Sequence, residues 1–179
     1  MIVERYPEEA RIHAYTDGSA TGALTNGGAG VYVKLREGKV HSAGISAGKY
    51  CSNYMAEIQD LVQAASMVRD SGYKCQQVVF LSDALSVLEA TAGDKLPRLA
   101  GSLHDVMQHR RVVLQWVPAH CGLPGNEKAD ELAKLGAKGR QQDNSVTFQE
   151  KKTLIRAALG QRTERRTSTS LTGGSRLWS

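Results

Sequence analysis

The stretch RIHAYTDGSATGALTNGGAGVYVKL, residues 11–35, decides the fold. Apolar and polar side chains alternate over residues 11–16 and again over residues 30–35, and this period of two predicts a pair of strands. Asn26-Gly27 between them is a strong hairpin signal, and a third alternating stretch covers residues 39–47. We therefore predict that the chain opens with three antiparallel strands.

A long amphipathic helix follows these strands. Ser52 or Asn53 is suited to cap its start, and Gly72 is suited to end it. Its apolar residues recur at helical spacing, namely Tyr54, Ile58, Leu61, Val62, Ala65 and Val68. This segment is the most regular helical pattern of the sequence.

The remaining pattern predicts an α/β fold. In chain order it indicates a strand buried on both faces, two helices, a strand and a last helix, over residues 78–82, 83–91, 96–109, 111–117 and 126–138. The order βββ-α-β-α-α-β-α is typical of a mixed sheet with helices packed on its faces. The predicted core includes Trp116 of the last strand and the apolar positions of the last helix, which are Ala129, Leu132, Ala133 and Leu135.

The net charge of +5 lies entirely beyond residue 139. Residues 1–139 contain 15 basic and 15 acidic side chains, whereas residues 140–179 contain 8 and 3. We therefore predict one domain over residues 10–139 and a basic extension over residues 140–179. A capping box from Thr147 to Glu150 predicts one short helix in the extension, with disorder after it. Such an extension suits a polyanionic partner.

The composition disfavours secreted and membrane proteins. No apolar run approaches the roughly 18 residues of a membrane span, and the acidic N-terminus MIVERYPEEA is not typical of a signal peptide. The three cysteines, Cys51, Cys75 and Cys121, are widely spaced, which favours buried free thiols in a reducing compartment. We expect a monomer inside the cell, in the nucleus or the cytoplasm.

Four acidic residues are predicted to meet at one edge of the sheet. Asp17 and Asp83 each follow a predicted strand directly, and Glu57 and Asp130 each lie one turn into a predicted helix. Ligands of open α/β sheets bind at the carboxyl ends of the strands, and grouped carboxylates suit hard divalent cations. Asp83 equally fits a plain helix N-cap. Periodicity alone leaves both interpretations open.

Four segments, in this order, resemble the signature segments of the type 1 ribonuclease H family: YTDGSA, NYMAEI, LSDALSVL and WVPAHCGLPGNEKADELAK. The resemblance covers about residues 10–139, and GLPGNEKAD is most similar to the ribonuclease H domains of non-LTR retrotransposon polyproteins. It implies a ribonuclease H-like fold, in which helices flank a five-stranded mixed sheet whose first three strands are antiparallel. It also implies an endonuclease that hydrolyses the RNA strand of RNA·DNA hybrids and leaves a 3′-hydroxyl and a 5′-phosphate.

The resemblance assigns the metal-binding carboxylates to Asp17, Glu57, Asp83 and Asp130 and the loop histidine of the family to His120. The implied cofactors are two Mg²⁺ ions, with Mn²⁺ as a substitute. Asp17 is expected to bridge both ions, and Glu57 to hold the ion on the leaving side. Asp130, aided by Asp83, is expected to hold the ion that orients the attacking water. His120 is expected to help proton transfer or product departure.

The resemblance also implies contacts to the substrate. Glu57 and the backbone near Gly18 and Ser19 are expected at the 2′-hydroxyl, the group that distinguishes RNA from DNA. Gly18 suits this role because it lacks a Cβ and lets the backbone approach the substrate closely. Ser52 and Asn53 are expected to grip the DNA strand, and they equally fit helix capping.

The sequence departs from the family pattern in two places that affect substrate binding. Ala84 and Leu85 follow Asp83 where many members have Ser and a longer polar residue. The segment AGDKLPRLAG is too short and too weakly basic to serve as the basic protrusion of bacterial members. The isolated core is therefore expected to bind substrate weakly, and the basic extension is expected to add affinity.

Two other functions fit the same sequence. One is a transposase or exonuclease on a similar sheet, which the NEKADELAK helix and the histidine loop disfavour. The other is a catalytically weak retroelement domain that supports a reverse transcriptase or only binds nucleic acid, which the four intact carboxylates disfavour. The expected partners are an RNA·DNA hybrid and a reverse transcriptase domain in the same polyprotein.

Overall fold

The computed structural model describes residues 5–7, 10–22, 24–73, 75–144, 146, 148, 150–156 and 159. The chain divides into two compact units, residues 1–144 and residues 145–179. The first unit contains the elements β1 (Ile12–Thr21), β2 (Thr25–Lys34), β3 (Val40–Gly48), α1 (Asn53–Asp70), β4 (Gln77–Ser82), α2 (Leu85–Ala92), α3 (Pro97–Met107), β5 (Arg111–Trp116) and α4 (Pro124–Lys138).

The five strands form one mixed sheet in the order β3-β2-β1-β4-β5. The β1–β2 and β2–β3 pairs are antiparallel, whereas the β1–β4 and β4–β5 pairs are parallel. This arrangement confirms the predicted mixed α/β fold and its three opening antiparallel strands. None of the helices in the described part of the chain combines the length and the apolar character that a membrane crossing demands.

Helices cover both faces of the sheet. The larger core cluster joins one face to α1, α2 and α3, and its fully buried members include Ile12, Leu61, Phe80, Val87 and Leu99. The smaller cluster, on the other face, joins the sheet to α4 through Tyr15, Val79, Leu81 and Ala129. Strand β4 contributes to both clusters, as its continuous apolar run predicts.

The first hairpin turns earlier than the sequence predicts. Strand β1 continues through Asp17 to Thr21, and Thr21 pairs with Thr25. The register shifts between Ala20 and Thr21, so Asn26 has no partner in the ladder and adopts a positive φ of 49°. Asparagine tolerates this conformation in a β-bulge as well as in a turn. The hairpin is therefore confirmed, but its predicted turn at Asn26-Gly27 is wrong.

Helix α4 lies directly on the sheet because the strand residues beneath it are glycines. A Cβ added at Gly30 would collide with the carbonyl oxygen of Ala129 and lie 2.5 Å from the amide nitrogen of Ala133. A Cβ added at Gly28 would collide with the same Ala133 through its carbonyl oxygen. No side chain larger than hydrogen fits between these backbones.

The buried face of α4 accordingly consists of small residues, mainly Ala129, Ala133, Gly136 and Ala137. Leu135 is 61% exposed, so its prediction as a core residue is wrong. A leucine side chain on the α4 face that contacts these glycines would force the helix away from the sheet. The apolar spacing of α4 therefore predicts Leu135 on the buried face although the side chain is exposed.

The cysteine prediction holds for one residue of three. Cys51 is buried, Cys75 is half-buried and Cys121 is exposed, and none of the three forms a disulfide within the described part of the chain. Cys121 lies in the exposed loop before α4.

Residues 141–144, which the sequence assigns to the extension, bond to the first unit. The Gln141 side chain accepts a hydrogen bond from the Ser46 hydroxyl at 2.6 Å. The Asn144 side chain accepts from the backbone N–H of Tyr50 at 3.1 Å and donates to the Tyr50 carbonyl at 2.8 Å. In the second unit residues 150–156 are helical. Thr147 and the segment 160–179 lie outside the described residues, so the capping box and the predicted disorder stay predictions.

We predict that Gly30→Ala lowers the free energy of unfolding by roughly 3 kcal/mol, because the new Cβ displaces α4 from the sheet. The control is Gly101→Ala in α3, where an added Cβ meets no atom within 4 Å. The control should gain up to about 1 kcal/mol from helix propensity. Urea denaturation followed by circular dichroism measures both. A Gly30→Ala protein as stable as the parent would show that the close contact is not required.

Candidate active site

Asp17 is placed near Glu57 by the glycine that follows it. Asp17 is a buried residue of β1, and Gly18 is next in the same strand. A Cβ added at Gly18 would lie 2.5 Å from the amide nitrogen of Glu57. The first turn of α1 therefore rests directly on β1, which brings the two carboxyl groups together. In the free protein it is this helix, not a substrate, that requires the missing Cβ.

Asp83 joins them because β1 and β4 run parallel in matched register. Thr16 pairs with Ser82, so Asp17, the next residue of β1, and Asp83, the first residue after β4, lie at the same edge of the sheet. The N-cap of α2 is Ala84, so the N-cap interpretation of Asp83 is wrong. One ligand oxygen from each of Asp17, Glu57 and Asp83 lies within 4.8 Å of the others. We call these three residues the inner group.

Asp130 belongs to an adjoining outer group with His120 and Glu127, whose ligand atoms also lie within 4.8 Å of one another. His120 Nδ1 is 4.0 Å from Glu127 Oε2, and His120 adopts a positive φ of 50°. The Asp130 carboxylate receives a hydrogen bond from Lys134 Nζ at 2.6 Å. The structure thus brings three of the four predicted carboxylates into one group and places the fourth, with His120, next to it.

The inner group is electrostatically unfavourable when it is charged. Burial, followed by the charges of Asp83 and Asp130, raises the pKa of Asp17 to about 7. Burial, followed by the charges of Asp17 and Asp83, also raises the pKa of Glu57. Burial raises the pKa of Asp83 as well. Carboxyl groups behave in this way when they lack a compensating cation.

The residues present fit divalent cations. Glu57 Oε2 is buried and accepts no well-formed hydrogen bond from the described residues. A cation among the three oxygens of the inner group would satisfy this atom and remove the repulsion. Oxygen donors without sulfur ligands favour Mg²⁺ or Mn²⁺ over softer metals.

Asp60 is a buried acid that the sequence interpretation missed. Its side chain is completely buried in α1, one turn after Glu57. Burial, followed by the charge of Glu57, raises the pKa of Asp60 well above its ordinary value. Asp60 lies beside Glu57 and Thr16, beneath the inner group. The sequence indicates this burial only through the position of Asp60 within the apolar stripe of α1, between Ile58 and Leu61.

The predicted substrate contacts lie around the same edge. The Ser52 hydroxyl accepts a hydrogen bond from the Met55 N–H at 3.2 Å, so its capping role is confirmed. Asn53 is the exposed first residue of α1. Gly18 and Ser19 are half-buried on β1, next to Asp17. Contact between these residues and a substrate stays a prediction.

Trp116 also belongs to this edge, although the sequence predicts it in the core. Its side chain is 42% exposed, because it ends the edge strand β5. Its indole N–H donates to the Asp83 carbonyl at 3.2 Å. The core prediction for Trp116 is therefore wrong, and the ring instead braces the backbone that carries Asp83.

The sheet order, the helices on both faces and the carboxylates at one edge define a ribonuclease H-like fold. The structure of RNase H1 from Halobacterium salinarum superimposes with a TM-score of 0.60 and 21% identity, covering 72% of this chain and 98% of that one. LC11-RNase H1, solved in complex with an RNA/DNA hybrid, superimposes with a TM-score of 0.56 and 20% identity, covering 69% and 97%.

The sequence comparisons identify the family. The RNase H family model matches residues 9–138. The ribonuclease H of Cyanothece sp. is 31% identical over 144 residues, which are 71% of this chain and 89% of that protein. The chain therefore belongs to the ribonuclease H family, and it is an enzyme of that class.

We predict that the metal-free protein loses stability as the pH rises from about 4 to about 7. The ordinary pKa of an aspartate is 3.8, and burial raises that of Asp17 to about 7. Between these values the folded state keeps a proton that the unfolded state has released, so the free energy of unfolding falls. The contribution of protonated Asp17 to the free energy of unfolding is complete below pH 3.8 and lost above pH 7. Urea denaturation in EDTA across this range measures the slope.

Asp17→Asn should flatten that slope and stabilise the metal-free protein at pH 8 by about 1 kcal/mol, because it removes a buried charge. Asp143→Asn controls for the loss of one surface charge, since the Asp143 side chain is 92% exposed. An Asp17→Asn protein with the parent's slope would refute the electrostatic description of the inner group.

Proposed function

We propose that the protein is an endonuclease that hydrolyses the RNA strand of RNA·DNA hybrids with two bound Mg²⁺ ions, leaving a 3′-hydroxyl and a 5′-phosphate. One observation carries this proposal: Asp17, Glu57 and Asp83 converge within 4.8 Å at one sheet edge of a ribonuclease H family chain. LC11-RNase H1, which shares the fold, was solved with an RNA/DNA hybrid. Mn²⁺ is the expected substitute for Mg²⁺.

The inner group would hold one cation and share the second with Asp130. Asp17 is suited to bridge the two positions, because Asp83 and Asp130 both act on its carboxyl group. When bound, such ions activate water and stabilise the attacking and leaving oxygens of a phosphodiester. Glu57 is held in place by α1, and Asp83 by the end of β4. These anchors hold the carboxylates in position before the substrate arrives.

His120 is suited to move a proton at the rim of the site. Its side chain is 72% exposed, and its Nδ1 lies 4.0 Å from Glu127 Oε2. The Glu127 carboxylate lies near one ring nitrogen but beyond hydrogen-bond distance, and the exposure would let the ring reach the scissile phosphate or the solvent. A loop residue with this freedom suits proton transfer or product departure better than metal binding.

Selectivity for RNA would arise next to the inner group. Gly18, Ser19 and Glu57 flank Asp17 and are suited to contact the 2′-hydroxyl. Ser52 and Asn53, at the start of α1, are suited to contact the DNA strand. The connection between α2 and α3 consists of residues 93–96 and offers no basic protrusion. The basic extension would therefore supply the non-specific affinity for the hybrid.

We further propose that the enzyme serves the reverse transcription of a retroelement. The support is the GLPGNEKAD segment at the start of α4, which is most similar to non-LTR retrotransposon ribonuclease H domains. The partner would be a reverse transcriptase domain in the same polyprotein, and the domain itself would act as a monomer.

We predict that Asp17→Asn, Glu57→Gln and Asp83→Asn each abolish Mg²⁺-dependent cleavage of a labelled RNA·DNA hybrid. Each removes a ligand charge from the inner group, and circular dichroism should show the fold preserved. The parent should cleave the RNA strand of the hybrid, should leave RNA·RNA and DNA·DNA duplexes intact, and should lose activity in EDTA.

The matched control is Glu131→Gln, which removes an exposed carboxylate of α4 that pairs with Lys128 outside both groups. It should retain activity near that of the parent. Near-normal cleavage in Mg²⁺ by any inner-group variant would remove that residue from the metal site. A parent that binds hybrids without cleaving them would support the non-catalytic alternative.

We predict that His120→Ala slows turnover by about 10²–10⁴-fold, the usual contribution of a proton-transferring side chain, without eliminating cleavage. Single-turnover kinetics with saturating Mg²⁺ measures this change. His41→Ala, which alters an exposed histidine of β3, should leave turnover unchanged. Complete loss of cleavage in folded His120→Ala protein would mean that His120 is as essential as the carboxylates.

A further inference from the structure

Lys134 pairs with the one carboxylate of the outer group that is also predicted to bind a metal ion. It lies one turn after Asp130 in α4, and its Nζ is 2.6 Å from Asp130 Oδ2. The Asp130 side chain is only 17% exposed, so the carboxylate is largely withdrawn from water. A charged carboxylate in this position requires a counterion, and the ammonium group provides it.

The charge of Lys134 extends beyond this one ion pair. Among the groups that act on Asp17, the ammonium of Lys134 lowers its pKa and so opposes the effects of burial and of Asp83. Asp130 raises the pKa of Lys134 first of all, and Asp17 and Glu127 raise it further. The charge of Lys134 therefore acts on acids of both groups, although its only ion pair among the described residues is with Asp130.

A second lysine of α4 shows what an ordinary surface pair looks like. Lys128 Nζ is also 2.6 Å from a carboxylate, that of Glu131, but the two side chains are 50% and 61% exposed. Glu131 belongs to neither acidic group among the described residues. The two ion pairs thus lie in the same helix and have the same length, but only the Lys134 pair includes a residue of an acidic group.

A divalent cation and the Lys134 ammonium would compete for the same carboxylate. The ammonium carries one charge on a flexible four-carbon stem, so it can leave Asp130 without moving the backbone. A divalent cation attracts the carboxylate more strongly than the ammonium does, and one that binds Asp130 through Oδ2 must first break the ion pair. Lys134 therefore opposes metal binding while it stabilises the metal-free site.

We propose that Lys134 is an intramolecular counterion that holds Asp130 until a divalent cation displaces it, and that it thereby lowers the affinity of the outer metal position. This inference rests on the proposed function, because it requires that the acidic site bind divalent cations. It adds a residue that sets the metal concentration at which the site fills.

The test is metal binding by the full chain without nucleic acid. Free Mn²⁺ is counted by electron paramagnetic resonance during titration, and Mg²⁺ binding is measured by calorimetry. Lys134→Met and Lys134→Gln remove the charge and keep much of the stem, Lys134→Arg keeps the charge, and Lys128→Met is the matched control. Both neutral Lys134 variants should bind the second, more weakly held ion about two- to fivefold more tightly than the parent does. This is the range expected from the loss of an ion pair whose ammonium is exposed. Lys134→Arg and Lys128→Met should match the parent.

Each other outcome overturns the inference in an identifiable way. If the parent binds Mn²⁺ and the neutral Lys134 variants bind it no more tightly, Lys134 is only a surface pair and the proposed function stands. If Lys128→Met tightens binding equally, the effect is one of overall charge. If the parent binds neither Mn²⁺ nor Mg²⁺, the metal site of the proposed function fails together with this inference.

Discussion

Two helices touch the sheet backbone to backbone, and the position of the acidic site depends on these contacts. Gly18 lets the first turn of α1 rest on β1, which fixes Glu57 beside Asp17. Gly30 does the same for α4 on the opposite face, and so fixes the helix that carries Asp130. The sheet itself supplies the remaining acid, because parallel pairing of β1 and β4 sets Asp83 next to Asp17. A side chain at either glycine would push a helix away from the sheet and so separate the carboxylates.

This geometry has an electrostatic cost that the fold does not remove by itself. Burial and mutual repulsion raise the pKa values of Asp17, Glu57 and Asp83, so these carboxyl groups hold their protons more tightly than ordinary ones do. Strong perturbation of grouped acids at one edge is characteristic of functional sites, where binding rather than stability determines the residues. The rigid helix contacts and the Lys134 ion pair keep the acids together in spite of that cost. A site assembled in this way is ready for cations before they bind.

Much of the fold was predictable because sequence periodicity reports burial. The strands and helices recur in the predicted order, and α1 is capped by Ser52, one of its two predicted caps. Periodicity fails where backbone contact replaces side-chain packing, so Leu135 is exposed although it fits the apolar period. It also fails for Asp60, because a buried acid contradicts the rule that charged residues lie outside. The ion pair of Lys134 with Asp130 follows from helical spacing, but the low exposure of the Asp130 side chain depends on the sheet beneath α4.

The support of the site extends beyond its last signature residue. Gln141 donates to the Gly136 carbonyl at 3.0 Å while it accepts from Ser46, so it ties the end of α4 to β3. Asn144 pairs with the backbone of Tyr50, two residues before the cap of α1. One short segment thus restrains the end of the helix that carries Asp130 and the entry to the helix that carries Glu57. Because both helices already rest on glycine backbones, small shifts at these ends would be transmitted to the carboxylates rather than absorbed by side chains. Residues 141–144 therefore act structurally as part of the unit that holds the acids.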